Sequence, residues 1–155
     1  MRFFITVGTT PFDDLIKTCD KLTRNFVDTE FIAQISNGSY EPSNMNYFSF
    51  TDDINSFYSN SDLIICHSGA GTVYRLLELG KKVLIVPNLD RREDHQLELC
   101  KFVETNNFGL VAYNLNDLEK LIKRALFFKT RVYSKDEELL LAKDINRLIM
   151  KYYNR

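Results

Sequence analysis

The chain has 155 residues, the length of one domain, and at 45% hydrophobic it can bury a sizeable core. A formal net charge of −1 gives no basic signal for nucleic acid. No apolar run approaches the ~20 residues of a membrane-spanning helix, and the opening Met-Arg-Phe-Phe-Ile-Thr-Val-Gly is too short for a signal peptide, so a cytoplasmic location is expected.

Cys19, Cys66 and Cys100 fit neither a zinc site nor a redox motif, and buried free thiols in a reducing compartment are expected. Arg2 to Val7 is a continuous apolar run that predicts a strand covered on both faces, ended by Gly8-Thr9-Thr10-Pro11. Phe12, Leu15, Ile16, Cys19 and Leu22 are spaced for a helix that starts at Pro11 or Phe12. Asp13 and Asp14 fall in its first turn, where the helix dipole favours them. Thr9 and Thr10 have two readings: they cap this helix, or they offer hydroxyl and backbone hydrogen bonds to a phosphate.

Glu30 to Ser36 predicts a second strand, followed by the turn signals Asn37-Gly38-Ser39 and Glu41-Pro42-Ser43. Tyr47 to Phe50 predicts a short strand. Thr51 or Asp52 is expected to cap a helix reaching Asn60, with Ile54, Phe57 and Tyr58 on one face.

The stretch from Asp62 to Gly80 organises the rest. Leu63, Ile64 and Ile65 predict a buried strand, and His67 to Thr72 form a loop of small residues. From Val73 the period turns helical, with Val73, Leu76 and Leu77 on one face and Gly80 as the stop. A strand that ends in such a loop before a helix leaves free backbone N–H groups, and these suit a phosphate. The loop lacks the lysine of a P-loop and the dinucleotide glycine spacing. Taken alone, Gly69 and Gly71 serve a tight turn equally well, and His67 reads as a core histidine.

Lys82 to Val86 predicts another buried strand, closed by Pro87, and Asn88 to Arg92 form a polar loop. A helix from Glu93 to Thr105, a strand from Gly109 to Tyr113 and a helix capped by Asn116 or Asp117 and reaching Phe128 follow. Ser134 is expected to open a long C-terminal helix carrying Leu139, Leu140, Ile145, Leu148, Ile149 and Tyr152. Strands alternate with helices almost throughout. This predicts an α/β fold, a doubly wound and mostly parallel sheet with helices on both faces, over one domain of residues 1–155. Ligands of such folds sit beyond the carboxyl ends of the strands. The loops at Gly8, Phe50, His67 and Pro87 are therefore expected to face one crevice.

Four stretches in order carry a resemblance: Thr6-Val7-Gly8-Thr9-Thr10-Pro11-Phe12-Asp13-Asp14-Leu15-Ile16, Phe50-Thr51-Asp52-Asp53-Ile54, His67-Ser68-Gly69-Ala70-Gly71-Thr72, and Pro87 followed by Asp94-His95-Gln96. Together they resemble the glycosyltransferase family 28 C-terminal domain, the donor-binding half of a GT-B glycosyltransferase. The form resembled is the stand-alone small subunit, found in dolichol-linked GlcNAc transfer and in bacterial capsule and exopolysaccharide synthesis.

The resemblance implies a UDP-sugar donor. Gly8, Thr9 and Thr10 with His67, Ser68, Gly69, Ala70, Gly71 and Thr72 would hold its diphosphate. Phe50 and the backbone of Thr51 would contact the uracil. Asp94, His95 and Gln96 would reach the sugar or its phosphates. Arg75 departs from the family pattern: a related bacterial lipid-linked GlcNAc transferase carries there an acid that grips the ribose. Arginine cannot accept a hydrogen bond, and Glu78 is the nearest substitute. Arg91 and Arg92 either pair with phosphates or belong to a solvated loop.

The resemblance also implies transfer of GlcNAc, galactose or glucuronic acid to a polyprenyl-diphosphate-linked saccharide. A membrane-attached second subunit would supply the acceptor site and the catalytic base, and would recruit this chain to the cytoplasmic face. No metal or cofactor is expected. The rival readings are a non-catalytic nucleotide-binding scaffold subunit and a self-sufficient small nucleotide-sugar enzyme using His67 or His95 as acid or base.

Overall fold

A computed structural model describes residues 1–89 and 94–134. Arg91, Arg92 and the C-terminal helix expected beyond Ser134 lie outside the described residues. Six strands form one sheet: β1 (Arg2–Thr6), β2 (Glu30–Gln34), β3 (Asn46–Phe48), β4 (Leu63–His67), β5 (Val83–Val86) and β6 (Leu110–Val111). Their order is β3-β2-β1-β4-β5-β6, and every neighbouring pair is parallel. Among the described residues, five helices cover it: α1 (Asp13–Leu22), α2 (Ile54–Ser59), α3 (Ala70–Glu78), α4 (Asp94–Thr105) and α5 (Leu118–Phe127).

The apolar run of β1 explains the layering. Alternate side chains of a strand point to opposite faces. Phe3, Ile5 and Val7 enter the layer made by Leu15 and Ile16 of α1 and by Leu118 and Ile122 of α5. Phe4 enters the other, with Tyr58 of α2, Val73 and Leu76 of α3, and Cys100 of α4. A run apolar at every position therefore makes a strand with helices on both sides, which is the doubly wound class expected. The three cysteines are free and buried, and burial pushes the Cys100 thiol up to about 12 and the other two higher. They are packing groups and poor nucleophiles.

Helix boundaries depart from the periodicity where the first turn lacks apolar residues. Helix α3 begins at Ala70, three residues before Val73, with the extended Gly69 as its N-cap. Ala70, Gly71 and Thr72 carry no apolar period, so they read as loop although they are helical. For α2 the cap is Asp53, not Thr51 or Asp52: its Oδ1 accepts from the Ser56 N–H at 3.2 Å. Before α5, Asn114 Oδ1 accepts from the Asn116 N–H in a short 3₁₀ turn, and Asp117 at the N-cap makes no side-chain cap bond. Gly80 ends α3 as expected. It sits at φ 62°, and the N–H groups of Lys81 and Gly80 return to the carbonyls of Leu76 and Leu77.

The connection from β2 to β3 hangs on one buried carboxylate. Asp20 accepts from the Asn44 N–H at 2.8 Å, the Tyr40 hydroxyl at 2.8 Å, the Ser43 N–H at 3.2 Å and Asn44 Nδ2 at 3.1 Å. Burial alone would raise its pKa, but the bonds from Asn44, Tyr40 and Ser43 outweigh that and hold the carboxyl below its ordinary range. A carboxylate depressed in the native state stabilises above its unfolded pKa and loses that contribution as pH falls through the native value. Asp20→Ala is expected to lower stability by about 3 kcal/mol near neutral pH. The gap to the unsubstituted protein should narrow below about pH 4. Urea denaturation of both proteins at a series of pH values checks this.

Candidate functional site

The strand order reverses between β1 and β4. The chain leaves β1 toward β2 on one side and returns through β4 on the other. At such a switch point the loops leaving the two strands diverge and open a crevice beyond their carboxyl ends. The two loops that meet there follow Thr6 of β1 and His67 of β4, brought alongside by the parallel register that pairs Thr6 with Cys66.

Two glycines make the meeting possible. Gly8 sits at φ 63°, and a Cβ placed on it would lie 2.9 Å from Cε1 of His67 and 3.7 Å from Oγ1 of Thr72. A Cβ on Gly69 would overlap Nε2 of the same imidazole and lie 2.7 Å from its Cε1. The His67 ring is thus wedged between the two glycines, half-buried. At Gly71 the opposite holds: a Cβ there would meet nothing within 4 Å, and the residue is exposed.

The earlier start of α3 changes what its opening residues can do. The Val73 N–H bonds the Gly69 carbonyl at 3.0 Å, which closes the first helical turn. The N–H groups of Ala70, Gly71 and Thr72 precede that bond and have no acceptor within the helix. They stand at its positive pole, beside the open space at Gly71, an arrangement that suits an anion. Across the crevice, neither Thr9 nor Thr10 caps α1, whose N-cap is Phe12 with no side-chain bond. Thr10 lines the cleft with Phe12, His67, Ser68, Gly69 and Ala70, in a cavity of about 180 Å³. Thr9 is exposed at the rim, its carbonyl accepting from the Ser36 hydroxyl at 3.0 Å.

Two buried glutamines hold the loops in place. Gln96, on α4, accepts at Oε1 from the Ser68 hydroxyl at 2.6 Å and from the Asn88 N–H at 3.0 Å. It therefore ties the ends of β4 and β5 to α4 as well as lining the cavity. The second is Gln34, at the end of β2. Its Oε1 accepts from the Thr6 hydroxyl at 2.7 Å, and its Nε2 donates to the carbonyls of Gly8 at 2.7 Å and Ser49 at 2.9 Å. Sequence reasoning missed Gln34. Its only signal is a polar residue closing the apolar run Phe31-Ile32-Ala33 at the carboxyl end of a strand.

The remaining candidates spread along the same edge of the sheet. Phe50 follows β3 and is 54% exposed, a large aromatic surface on one flank. Thr51 turns its hydroxyl to the Asp53 N–H at 3.1 Å. Arg75 lies on an exposed face of α3, donates to Asn55 Oδ1 of α2 at 3.4 Å and stands 3.9 Å from Glu78. Beneath α3 is the buried Tyr58, whose pKa is raised chiefly by burial. His95 is exposed at the opposite mouth, 3.9 Å from Glu98. Asp94 is the first residue of α4. The crevice thus brings together Gly8, Thr10, the residues from His67 to Thr72, His95 and Gln96, while Phe50, Thr51 and Arg75 lie toward the β3 side.

A model of the glycosyltransferase family 28 C-terminal domain matches residues 2–149. The chain belongs to that family. Its relatives include the human UDP-N-acetylglucosamine transferase subunit ALG13, 37% identical over 110 residues, 63% of this chain and 10% of the relative. The UDP-N-acetylglucosamine–N-acetylmuramyl-(pentapeptide) pyrophosphoryl-undecaprenol N-acetylglucosamine transferase of Finegoldia magna is 34% identical over 124 residues, 79% of this chain and 31% of the relative. This family 28 chain thus spans a tenth of the first relative and less than a third of the second. Among solved structures it is similar to Acinetobacter baumannii MurG, with a TM-score of 0.67 at 19% identity, over 97% of this chain and 49% of that one. It is also similar to a solution structure of ALG13, with a TM-score of 0.58 at 18% identity, over 95% and 93% of the two chains. At those identities the structures speak for the fold, and they share the doubly wound sheet of family 28. Among the described residues, no helix is long and apolar enough to cross a membrane.

Proposed function

We propose that this family 28 domain binds a UDP-hexose and presents it for transfer to a lipid-linked saccharide. The observation that carries the reading is the seat at the switch point: amides in the first turn of α3 with no acceptor within the helix, open space at Gly71, and the glycine-wedged His67 beside them. A diphosphate needs close backbone approach and positive potential, and this seat offers both.

The order of the strands supports a direction for the donor. Phe50 flanks β3, the anion seat lies between β1 and β4, and the Gln96–Asn88 cluster lies at β5. A nucleoside on Phe50 and Thr51, a diphosphate at the seat and a sugar near His95 and Gln96 follow that order along one edge of the sheet. The names of the relatives favour N-acetylglucosamine as the hexose.

In the transfer, an acceptor hydroxyl attacks the anomeric carbon, gives its proton to a base, and displaces UDP as the sugar–phosphate bond breaks. What this chain contributes is stabilisation of the leaving diphosphate by oriented amides and the α3 dipole. The acceptor site and the base belong to a second, membrane-attached subunit in this reading, which places the reaction at the cytoplasmic face of a membrane.

The test is an NMR titration of the chain with UDP, with GDP and NAD as controls. UDP is expected to shift the amides of Gly8, Phe50, Gly71 and Gln96 selectively. A chain that responds to none of the three nucleotides at millimolar concentration, or equally to all, would remove the donor-site reading.

A further inference from the structure

The sequence treats Asn88 as one residue of a polar loop, but the fold makes it part of the floor of the crevice. It follows β5 directly after Pro87 and is 9% exposed. Its backbone N–H is held by Gln96 Oε1 at 3.0 Å, and that same oxygen is held by the Ser68 hydroxyl. The residue cannot move without breaking the bond that joins β5 to α4. Its side-chain Oδ1 is buried and has no hydrogen-bond partner among the described residues. Asn88 lines both the 180 Å³ cleft beside His67 and an adjoining cavity of about 340 Å³ that extends toward Tyr113 and Asn114.

A buried amide oxygen with nothing to accept from is uncommon in native proteins, and its presence in a cleft points to a ligand group. The chemistry restricts that group. An amide oxygen only accepts, so its partner must carry an O–H or N–H. Phosphate oxygens and a uronate carboxylate, ionised at neutral pH, offer only acceptors and do not fit. Strand β5 lies next to β4 in the sheet, so Asn88 stands beside the anion seat, on the side away from Phe50. Given the donor reading above, on which this inference rests, the part of the donor found there is the sugar.

We propose that Asn88 is a specificity-determining residue, whose side-chain oxygen accepts a hydrogen bond from a hydroxyl or acetamido N–H of the donor hexose. A site built around a buried acceptor discriminates strongly, because an analogue lacking the donor group leaves that acceptor desolvated and unpaired.

Isothermal titration of the full chain with UDP, UDP-glucose and UDP-N-acetylglucosamine gives the ratio of hexose-donor to UDP affinity. The ratio cancels any general effect of a substitution on the diphosphate seat. For the unsubstituted chain, at least one hexose donor is expected to bind about tenfold more tightly than UDP. In Asn88→Leu, which keeps the volume and removes the acceptor, the ratio should fall to about one. In Asn88→Asp, which keeps an accepting oxygen, it should persist. Asn88→Ala serves in place of the leucine variant should that one lose its folded spectrum. An advantage confined to UDP-N-acetylglucosamine identifies the acetamido N–H; where UDP-glucose shows it, a titration series of 2-, 3-, 4- and 6-deoxy UDP-glucose identifies the hydroxyl. One deoxy donor should lose the advantage in the unsubstituted chain and show no further deficit in N88L. A ratio unchanged in N88L, or equal to one before substitution, means that Oδ1 meets water only and overturns the inference while leaving the donor reading intact. No UDP binding to the unsubstituted chain overturns both.

Discussion

Gly71→Ala is expected to leave the fold as stable as before, or more stable, while weakening UDP binding tenfold or more. Gly71 is the second residue of α3, with backbone dihedrals any residue adopts and nothing within 4 Å of the place where a methyl would sit. By folding criteria alone it should be alanine. Glycine in a helix is destabilising by roughly 0.5–1 kcal/mol relative to alanine, so substitution should raise the melting temperature by about 1–4 °C. A ligand reverses the preference, because a diphosphate bonded to the amides of the first turn must approach the backbone closely. A methyl in that space holds it off, and a loss of about 1.4 kcal/mol or more in binding is a factor of ten or more in affinity. Thermal denaturation and UDP titration of the same variant separate the two effects. Unchanged affinity would mean that the diphosphate does not sit over the first turn of α3.

Gln34→Leu should do the opposite and damage stability and binding together. The side chain is 4% exposed, and all three of its bonds join separate segments: Thr6 of β1, Gly8 in the loop beyond it, and Ser49 beyond β3. Leucine matches the volume but leaves the Gly8 and Ser49 carbonyls and the Thr6 hydroxyl without that partner. An unsatisfied buried polar group costs about 1–3 kcal/mol, so a loss of about 3 kcal/mol overall is expected. For a domain of this size that lowers the melting temperature by about 10 °C. The Gly8 loop and the Phe50 segment lose their common anchor, so UDP affinity should also fall. Gln34→Glu, which keeps an accepting oxygen for Thr6 but not the donor for the two carbonyls, is expected to fall between the two. A leucine variant as stable as the unsubstituted chain would mean that the loops are held by packing alone.

These two residues mark how far the sequence could be read. Gly71 stood out as part of a small-residue loop between an apolar strand and a helix, and its role follows from local chemistry: a strand end, a helix start and room for an anion. Its place inside the helix was not legible, because Ala70, Gly71 and Thr72 are small or polar and add no large apolar side chain to the period that begins at Val73. Gln34 was not legible as a site residue at all. The groups it joins are 26, 15 and 28 residues away along the chain, and no local pattern reports which of them a buried amide will meet. The same holds for Asp20 and its anchoring of Asn44, and for Gln96, which bonds Ser68 across 28 residues.

By itself the sequence determined the fold class, since runs such as Phe3-Phe4-Ile5 and Leu63-Ile64-Ile65 are apolar on both faces and require helices on both sides. It also determined which loops end those strands, and therefore that Gly8 and the residues from His67 to Thr72 stand at carboxyl ends. Only the tertiary structure decided that β1 and β4 are neighbours, that His67 lies between Gly8 and Gly69, and that Asn88, with its buried side-chain oxygen, lines the same crevice. The reason is physical. Burial is written in the local alternation of side chains, whereas the pairing of buried polar groups depends on which strands meet, and that is settled by packing between distant segments.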